Sequence, residues 1–193
     1  MTRGPIVVRD AIPEDANALL SLWTEIPKDT RNDRPDRHPL SPNPDVGAAV
    51  ARVAADSTER LVVAVIDEEV CGAVHLRRAP ITPIHDEDAI HVDHLHVRAS
   101  LRRKGIGRAL IETCATWAEE KDSHHLLAIV PVMSRDGNRF MARLGFSQVA
   151  VVRAATVTSV RLKLAGEQIG RGRERVVAAR RSLRRRRMAL TRR

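Results

Sequence analysis

The residues best suited to chemistry lie in a short basic turn with two glycines. The turn runs from Arg102 to Arg108 and separates an apolar strand pattern from a long helical pattern. Gly105 and Gly107 lack a Cβ, so the backbone there can approach a ligand closely. A helix N-terminus adds unpaired N–H groups and the positive end of the helix dipole. The turn therefore predicts a diphosphate site, and an ordinary strand-to-helix turn with a solvated basic face accounts for it equally well.

Polar side chains precede this turn at alternate strand positions. In a regular strand His91 and Asp93 share a face with Leu95 and Val97. A histidine changes its charge near neutral pH, so His91 could accept a proton directly or through water. Asp93 could accept that proton itself or orient His91. The pair is therefore a candidate general base, with a structural hydrogen-bonded pair at a sheet edge as the alternative.

The other histidines and the cysteines suggest less chemistry. His94 and His96 are expected on the opposite face of the same strand, against a helix or in solvent. His75 lies on the preceding predicted strand and could reach the same cleft. Cys71 and Cys114 lie far apart in apolar runs without the spacing of metal ligands, so we expect buried free thiols and no metal centre.

Hydrophobic periodicity predicts the elements that position these residues. Residues 105–121 carry apolar side chains at helical spacing and form the clearest amphipathic helix. Short β-branched runs alternate with helical patterns along the rest of the chain, which indicates an α/β domain with a mixed sheet. Strands are predicted at 6–9, 61–66, 70–76, 89–97, 126–132, 146–152 and 156–164, and further helices from 13, at 45–55 and at 136–144.

The strand, turn and helix resemble the acetyl-CoA site of the GNAT superfamily of N-acetyltransferases. The family pattern is L-x-V followed by R/Q-x-x-G-x-G/A. Its positions fall here on Leu95, Val97, Arg102, Gly105 and Gly107. Residues 138–146 look like the family's helix element that runs from an Asn to a Gly-Phe pair, and residues 8–16 are similar to its first strand and helix. The three motifs follow the family's own order, and the resemblance covers residues 5–164.

The resemblance implies a GNAT fold over residues 1–164, with a mixed, mostly antiparallel sheet of about seven strands and flanking helices. It implies an acyl-CoA N-acyltransferase that moves an acetyl group from acetyl-CoA to a primary amine by direct attack, with general-base assistance from His91 and Asp93. Acetyl-CoA is then a co-substrate, and no metal is required. The residues implied to hold it are Leu95, His96, Val97, Arg102, Arg103, Lys104, Gly105, Ile106, Gly107, Arg108 and Asn138.

One position departs from the family pattern. Many members carry a tyrosine where this chain has Met141 and use it to protonate the leaving thiolate, whereas this chain has no tyrosine. Ser134 is the candidate replacement, with release of the thiolate to solvent as the alternative. The departure also favours a second class of function, a catalytically weak CoA-binding adaptor tethered to nucleic acid or a ribosome.

The positive charge of the chain is concentrated near its end. The net charge is +9, and residues 165–193 hold eleven arginines against two glutamates, so the preceding residues are balanced. Apolar residues recur at helical spacing between these arginines, which predicts a basic tail, helical or disordered, that follows a hinge at 166–172. Residues 171–193 are expected to meet a polyanion, with nucleic acid ahead of an acidic membrane surface or an acidic protein patch.

The sequence has the features of a cytoplasmic protein. Its first ten residues lack the apolar core of a signal peptide, and no apolar stretch reaches the length of a membrane span. A monomer and a homodimer are both compatible with it. The amine acceptor stays unidentified, because the proline-containing loops at 27–44 and 81–88, which are expected to shape its site, do not select a substrate by their charges.

Overall fold

A computed structural model describes residues 4–24, 45–84, 87–153 and 155–165. The chain divides into two compact units, and the larger one holds residues 1–31 and 41–149. The second comprises residues 32–40 and 150–193, and its described part is 150–153 and 155–165. The predicted loop at 27–44 and the arginine-rich tail from residue 166 onward lie outside the described residues.

One sheet of five strands forms the centre of the larger unit. The strands are β1 Val7–Asp10, β2 Glu59–Ile66, β3 Glu69–Pro80, β4 Asp88–Val97 and β5 Leu126–Ala128. They lie side by side in chain order. The first four pair antiparallel, and β5 pairs parallel to β4. The predicted α/β class with a mixed, mostly antiparallel sheet is therefore confirmed.

A tight hairpin joins β2 to β3, which correspond to the strands predicted at 61–66 and 70–76. Ile66 pairs with Glu69, so the loop consists of Asp67 and Glu68 alone. Both loop residues have positive φ, at 49° and 66°. Two-residue loops of this kind twist in the same sense as the strands they join. β3 then continues past its predicted end at residue 76, because its extension is paired with β4 as far as Pro80.

Within the described residues of the larger unit, four α-helices flank the sheet. They are α1 Ala16–Thr24, α2 Val46–Ala55, α3 Ile106–Glu120 and α4 Arg135–Arg143. α2 begins where the sequence predicted, since the Asp45 carboxylate accepts a hydrogen bond from the Ala48 N–H at 2.9 Å. Within the described segments, no helix has the length and apolar composition needed to cross a membrane.

Each face of the sheet has its own apolar cluster. On one face α3 buries the stripe that its periodicity predicted, made of Ile106, Leu110, Ile111, Cys114 and Trp117. The other face carries α1 and α2 through Leu19, Leu22, Val50 and Val53. We call these the α3 face and the α1/α2 face. Burying one large aliphatic side chain contributes about 1.5–3 kcal/mol, so both clusters stabilise the sheet substantially.

Both cysteines are buried and neither forms a disulfide, as the sequence predicted. Burial raises the pKa of the Cys114 thiol to about 12, against smaller opposing effects from a hydrogen bond and the charge of Arg60. The Cys114 thiol therefore stays protonated at neutral pH, and a protonated thiol is a poor nucleophile.

The strand count corrects the prediction of about seven strands, because the sheet of the described residues has five. β5 ends at Ala128 rather than at residue 132, and residues 146–153 form no strand. Val149 is 80% exposed and Val152 is 73% exposed. Apart from Phe146, which packs against the α3 face, the segment predicted as a strand at 146–152 is therefore largely exposed, and a strand gains stability mainly by packing one face.

Residues 157–165 are helical, where the sequence predicted a strand at 156–164. Val157, Val160 and Leu164 fit helical spacing, although apolar residues also alternate within the same segment. Thr156 decides between the two structures. Its hydroxyl accepts from the Ser159 N–H at 3.1 Å, and its carbonyl accepts from the Val160 N–H at 3.1 Å. This is the bonding pattern of an N-cap residue and a first helical turn.

An ion pair ties the start of α1 to β1. Arg9 donates to the two carboxylate oxygens of Asp15 at 2.6 and 2.9 Å, and the Ile12 N–H donates to Oδ2 at 2.9 Å. The hydrogen bonds from Arg9 are the main reason that the pKa of Asp15 is lowered, while burial opposes them and Ile12 assists. A carboxyl with a lowered pKa stabilises the fold above the pKa of the unfolded state, and this contribution is lost as the pH falls through the folded-state pKa.

Replacing Asp15 with asparagine is expected to lower the free energy of unfolding by about 1 kcal/mol near neutral pH. The effect is modest because 37% of the Arg9 side chain is exposed. The difference from wild type should shrink as the pH falls from about 4, the ordinary pKa of an aspartate, through the lower folded-state pKa of Asp15. Urea titrations at neutral and acidic pH measure both values. Asp10→Asn, which alters the more exposed pair with Arg60, is the control, and an Asp15→Asn deficit that persists in acid would contradict this account.

Candidate active site

The chain turns sharply between β4 and α3. A single 3-10 turn spans Ala99–Leu101 after the end of β4, and the buried side chain of Leu101 anchors it. Arg103 and Gly105 then take positive φ values of 63° and 88°, and Gly105 is the N-cap of α3. A positive φ is readily adopted by glycine and disfavoured by residues with a Cβ. The backbone conformation of the turn therefore explains the glycine at position 105.

The amino end of α3 presents backbone donors. The first hydrogen bond within this helix runs from the Ala109 N–H to the Gly105 carbonyl at 3.0 Å. The N–H groups of residues 106–108 precede it and have no acceptor inside the helix. The basic side chains around them are exposed, namely Arg102, Arg103, Lys104 and Arg108. Free N–H groups, the helix dipole and four exposed cations together make this turn suited to an anion.

Gly107 serves the packing of two helices, which sequence reasoning missed. A Cβ at this position would lie 3.3 Å from Cζ of Phe140, so glycine here lets α4 approach the first turn of α3. A Cβ on Gly105 would meet only the side chain of Ile6, at 3.8 Å. Glycine is therefore required at the two positions for different reasons: backbone conformation at Gly105 and helix packing at Gly107. The contact with Phe140 cannot be predicted from the local sequence.

β4 contains a bulge just before the turn. Asp93 pairs with His75 and His96 pairs with Ala73, so β4 uses one residue more than β3 over the same stretch. An extra residue of this kind defines a β-bulge, which shifts the alternation of the strand. His94 lies in the bulge with a φ of 53°. Such bulges are found next to active sites, where they redirect side chains.

The bulge corrects the predicted facing of the polar residues. Val92 packs on the α3 face, so its neighbours His91 and Asp93 point to the α1/α2 face. Beyond the bulge, Leu95 and Val97 pack on the α3 face. The prediction that these two residues share a face with His91 and Asp93 is therefore wrong, because one extra residue moves every following side chain to the opposite face.

His96 was predicted opposite to His91 but lies on the same face. It pairs with Ala73, which belongs to the α1/α2 cluster, and paired residues of neighbouring strands point to the same side. His75 lies on this face for the same reason, since it pairs with Leu61. Three histidines thus line one face around Asp93. Among the described residues, no group of three or more His, Cys, Asp or Glu side chains is placed to hold a metal ion.

Asp93 is a buried carboxylate, with 6% of its surface exposed. Arg77 of β3 donates to its Oδ2 from Nε at 2.8 Å, and Nη2 lies 2.7 Å from the same oxygen. Oδ1 of Asp93 and Nε2 of His91 are buried, and neither has a hydrogen-bond partner among the residues that the structure describes. Leaving a buried polar atom unpaired costs about 1–3 kcal/mol. Two such atoms on one face are typical of a site that a ligand completes.

A second ionic group supports this face. Nε2 of His75 lies 2.9 Å from Oε2 of Glu59, and Arg52 of α2 lies 3.3 Å from the same carboxylate. Burial raises the pKa of Glu59, but the hydrogen bonds from His75 and Arg52 outweigh it, so this pKa lies below its usual value. Glu59 is therefore negative at neutral pH and can hold the His75 ring in place.

The sheet opens between β4 and β5 next to the bulge. The two strands pair only from Ile90 to Val92, with one further hydrogen bond from the Ile129 N–H to the Val92 carbonyl at 3.2 Å. β4 continues to Val97, so its second half has no pairing with β5. This notch lies along the stretch of β4 that leads into the basic turn. It provides a place where a ligand can reach the backbone of residues 93–97.

Asn138 holds the turn before α4. Its Nδ2 donates to the carbonyls of Pro131, Val132 and Ser134, at 3.1, 3.3 and 2.8 Å. Asn138 was predicted to contact the cofactor, and in the structure its amide nitrogen hydrogen-bonds to the chain itself. Asn138 fixes the path of the chain from β5 into α4, on the other side of the notch from β4.

Ser134, the candidate general acid, and Met141, at the position where many family members carry a tyrosine, both have structural roles. Ser134 is the N-cap of α4, and its Oγ accepts from the Gly137 N–H at 3.3 Å. Because the cap uses this oxygen as an acceptor, the hydroxyl hydrogen remains available to another group. Met141 is 7% exposed and belongs to the α3-face cluster. The residue at the family's tyrosine position thus fills the core.

A comparison with protein families identifies the class of this chain. The sequence model of the acetyltransferase (GNAT) family matches residues 17–146, which is more than half of the chain. The chain therefore belongs to the acetyltransferase (GNAT) family, as its motifs indicated. A search of curated proteins gave no match.

Solved structures of low sequence identity share the fold. A transcriptional regulator from Bacillus halodurans C-125 has a TM-score of 0.65 at 20% identity, covering 79% of this chain and 99% of that chain. A ribosomal-protein-alanine N-acetyltransferase from Brucella melitensis biovar Abortus 2308 has a TM-score of 0.59 at 21% identity, with 79% and 99% covered. The aminoglycoside N-acetyltransferase AAC(6')-Iy, in complex with CoA, has a TM-score of 0.63 at 13% identity, with 81% and 96% covered.

Proposed function

We propose that this chain transfers an acetyl group from acetyl-CoA to a primary amine by direct attack, in the cytoplasm. One observation supports the proposal: the notch beside β4 lies between a basic turn suited to an anion and two buried polar atoms that have no partner among the described residues. The turn suits the pyrophosphate of CoA. His91 Nε2 and Asp93 Oδ1, on the α1/α2 face, suit an amine. The acetyl group would then pass between the two sides of the sheet.

Acetyl-CoA binding is assigned to the backbone of β4 and to the turn that follows. The N–H groups of residues 106–108 and the exposed side chains of Arg103, Lys104 and Arg108 would hold the pyrophosphate. Arg102 has a second task, since its Nε donates to the Val97 carbonyl at 3.3 Å and so fixes the start of the turn. The backbone of Leu95, His96 and Val97 would lie along the pantetheine arm. Asn138 would position the opposite wall of the notch.

In the proposed reaction the amine nitrogen attacks the thioester carbonyl carbon and the carbon–sulfur bond breaks. His91 accepts the proton that the amine loses, because its Nε2 has no hydrogen-bond partner within the described part of the chain. Asp93, held by Arg77, attracts the positive charge that develops on the attacking nitrogen. The CoA thiolate is protonated by water or by the Ser134 hydroxyl, and the products are an acetamide and free CoA.

Mass spectrometry of reaction products tests this proposal. Full-length protein, acetyl-CoA and a panel of primary amines should yield acetylated amine and free CoA in equal amounts. The protein incubated with acetyl-CoA alone should carry no acetyl thioester or ester, since direct attack has no acyl-enzyme. An acetyl group on a cysteine, serine or histidine side chain under those conditions would contradict direct attack. Absence of any product with wild-type protein would favour the catalytically weak CoA-binding adaptor.

The basic tail is assigned to a polyanionic partner. We propose that residues 1–164 carry the reaction and that residues 165–193 attach the enzyme to nucleic acid, because eleven arginines lie in this segment. The segment contains no lysine, so it offers no side-chain primary amine as an acceptor.

Replacing the eleven tail arginines with glutamine should abolish salt-sensitive binding to RNA while kcat for a small amine stays unchanged. The physical reason is that phosphate contacts release counterions, whereas the proposed chemistry lies entirely outside the tail. Filter binding at several salt concentrations and a steady-state assay measure the two effects. RNA binding that survives the replacement would place the contact elsewhere in the chain.

A further inference from the structure

α1 contacts the bulge of β4 through one side chain. The indole Nε1 of Trp23 donates to the His94 carbonyl at 3.4 Å. The two rings also meet edge to face, with centroids 6.4 Å apart and planes inclined by 68°. Trp23 lies one residue before the end of α1, and the His94 side chain is otherwise exposed. The contact therefore joins the last turn of α1 to the residue that defines the bulge.

The bulge needs such a contact because His94 adopts a backbone conformation that histidine does not prefer. His94 has a φ of 53°, and a residue with a Cβ is disfavoured in this region. On the β5 side the pairing of β4 with β5 ends at Val92, two residues before His94. A local conformation of this kind persists only where its surroundings hold it.

The position of the bulge also sets both sides of the proposed site. Before it, His91 and Asp93 point to the α1/α2 face, and after it Leu95 and Val97 point to the α3 face. Without the extra residue in the bulge, Leu95 and Val97 would turn to the α1/α2 face. His91 and Asp93 therefore face the proposed acceptor side, and Leu95 and Val97 the proposed CoA side, only while His94 keeps its conformation.

We propose that Trp23 is a positioning residue for the acetyl transfer. Its indole N–H holds the His94 carbonyl and so keeps the β4 bulge in the conformation that both substrates need. This inference rests on the proposed function. His94 then acts through its backbone carbonyl, and its imidazole takes no part in the reaction.

Two substitutions at position 94 and one at position 23 test the inference in the full-length chain. Trp23→Phe keeps an aromatic ring and removes the N–H, and His94→Val disfavours positive φ without touching the core. Each should raise hydrogen–deuterium exchange of β4 from residue 93 to 97, and the Kd of acetyl-CoA, by about three- to ten-fold. Exchange in β2 is the internal reference and should not change.

A rescue variant separates positioning from general packing. Glycine adopts positive φ readily, so adding His94→Gly to Trp23→Phe should return both the exchange and the Kd to within about two-fold of wild type. Unchanged exchange or unchanged Kd in Trp23→Phe would overturn the proposal, and so would a loss that His94→Gly does not repair. A wild-type chain that binds no acetyl-CoA would overturn the proposed function together with this inference, whereas the other outcomes concern Trp23 alone.

Discussion

A chain in which Arg103 and Lys104 are both replaced by glutamate should bind acetyl-CoA about 10- to 100-fold more weakly than wild type. Both side chains are exposed beside the amino end of α3, where Gly105 is the N-cap. The N–H groups of the first helical turn have no helical acceptor there. Charge reversal replaces attraction of the pyrophosphate by repulsion, and the effect should diminish with added salt. Calorimetric titration at low and high salt measures both effects.

The control for this charge reversal is a second double variant. Arg143 and Arg153 are exposed and lie outside the turn, so replacing both with glutamate changes the net charge by the same amount. This control should bind acetyl-CoA almost as wild type does. An equal loss in both double variants would mean that binding reflects net charge alone, and the turn would not be the pyrophosphate site.

Replacing His91 with alanine should lower kcat for a primary amine by about 100-fold and leave the Kd of acetyl-CoA nearly unchanged. The imidazole lies on the α1/α2 face, and its Nε2 has no partner among the described residues, so we expect it to receive a proton from an amine on that face. CoA is assigned to the turn and the backbone of β4, which the substitution leaves intact. Steady-state kinetics and calorimetry separate the two quantities.

Two further variants distinguish a general base from a structural histidine. Asp93→Asn keeps an acceptor for Arg77 but removes the negative charge, so kcat should fall by about 10-fold, less than in His91→Ala. His124→Ala removes an exposed histidine before β5 and should change nothing. A kcat of His91→Ala equal to that of wild type would show that the amine loses its proton to water instead.

The elements that could be predicted from the sequence are those whose signals are local. The apolar stripe of α3 repeats over several turns, and Asp45 stands one residue before α2 as a cap. The hairpin between β2 and β3 follows from two β-branched runs separated by a few polar residues. Periodicity and capping depend on neighbours within a few residues, so one sequence is enough to detect them.

The facing of the site could not be predicted in the same way. Strict alternation placed His91 and Asp93 with Leu95 and Val97, and the bulge at His94 separates the two pairs. A bulge depends on the register between two strands, and no residue in β4 is a glycine that would have signalled it. The basic turn needed no such register, because its residues are contiguous.

Long-range contacts account for the other differences. Gly107 of α3 packs against Phe140 of α4. The sequence of the turn does not predict this contact, because Phe140 lies more than thirty residues further along the chain. At 156–164 two periodicities coexist, and the hydroxyl of Thr156 selects the helix. In both places the deciding interaction is a tertiary or capping contact, which the hydrophobic pattern alone does not record.

Titration of acetyl-CoA into the full-length protein by calorimetry tests the central claim most directly. The account predicts saturable binding at a single site with a Kd in the micromolar range, competed by free CoA. It also predicts that the Arg103→Glu/Lys104→Glu chain loses this binding while the Arg143→Glu/Arg153→Glu chain keeps it. A wild-type protein that is folded but shows no saturable binding of acetyl-CoA would contradict the proposal that this chain is an acetyl-CoA-dependent acetyltransferase.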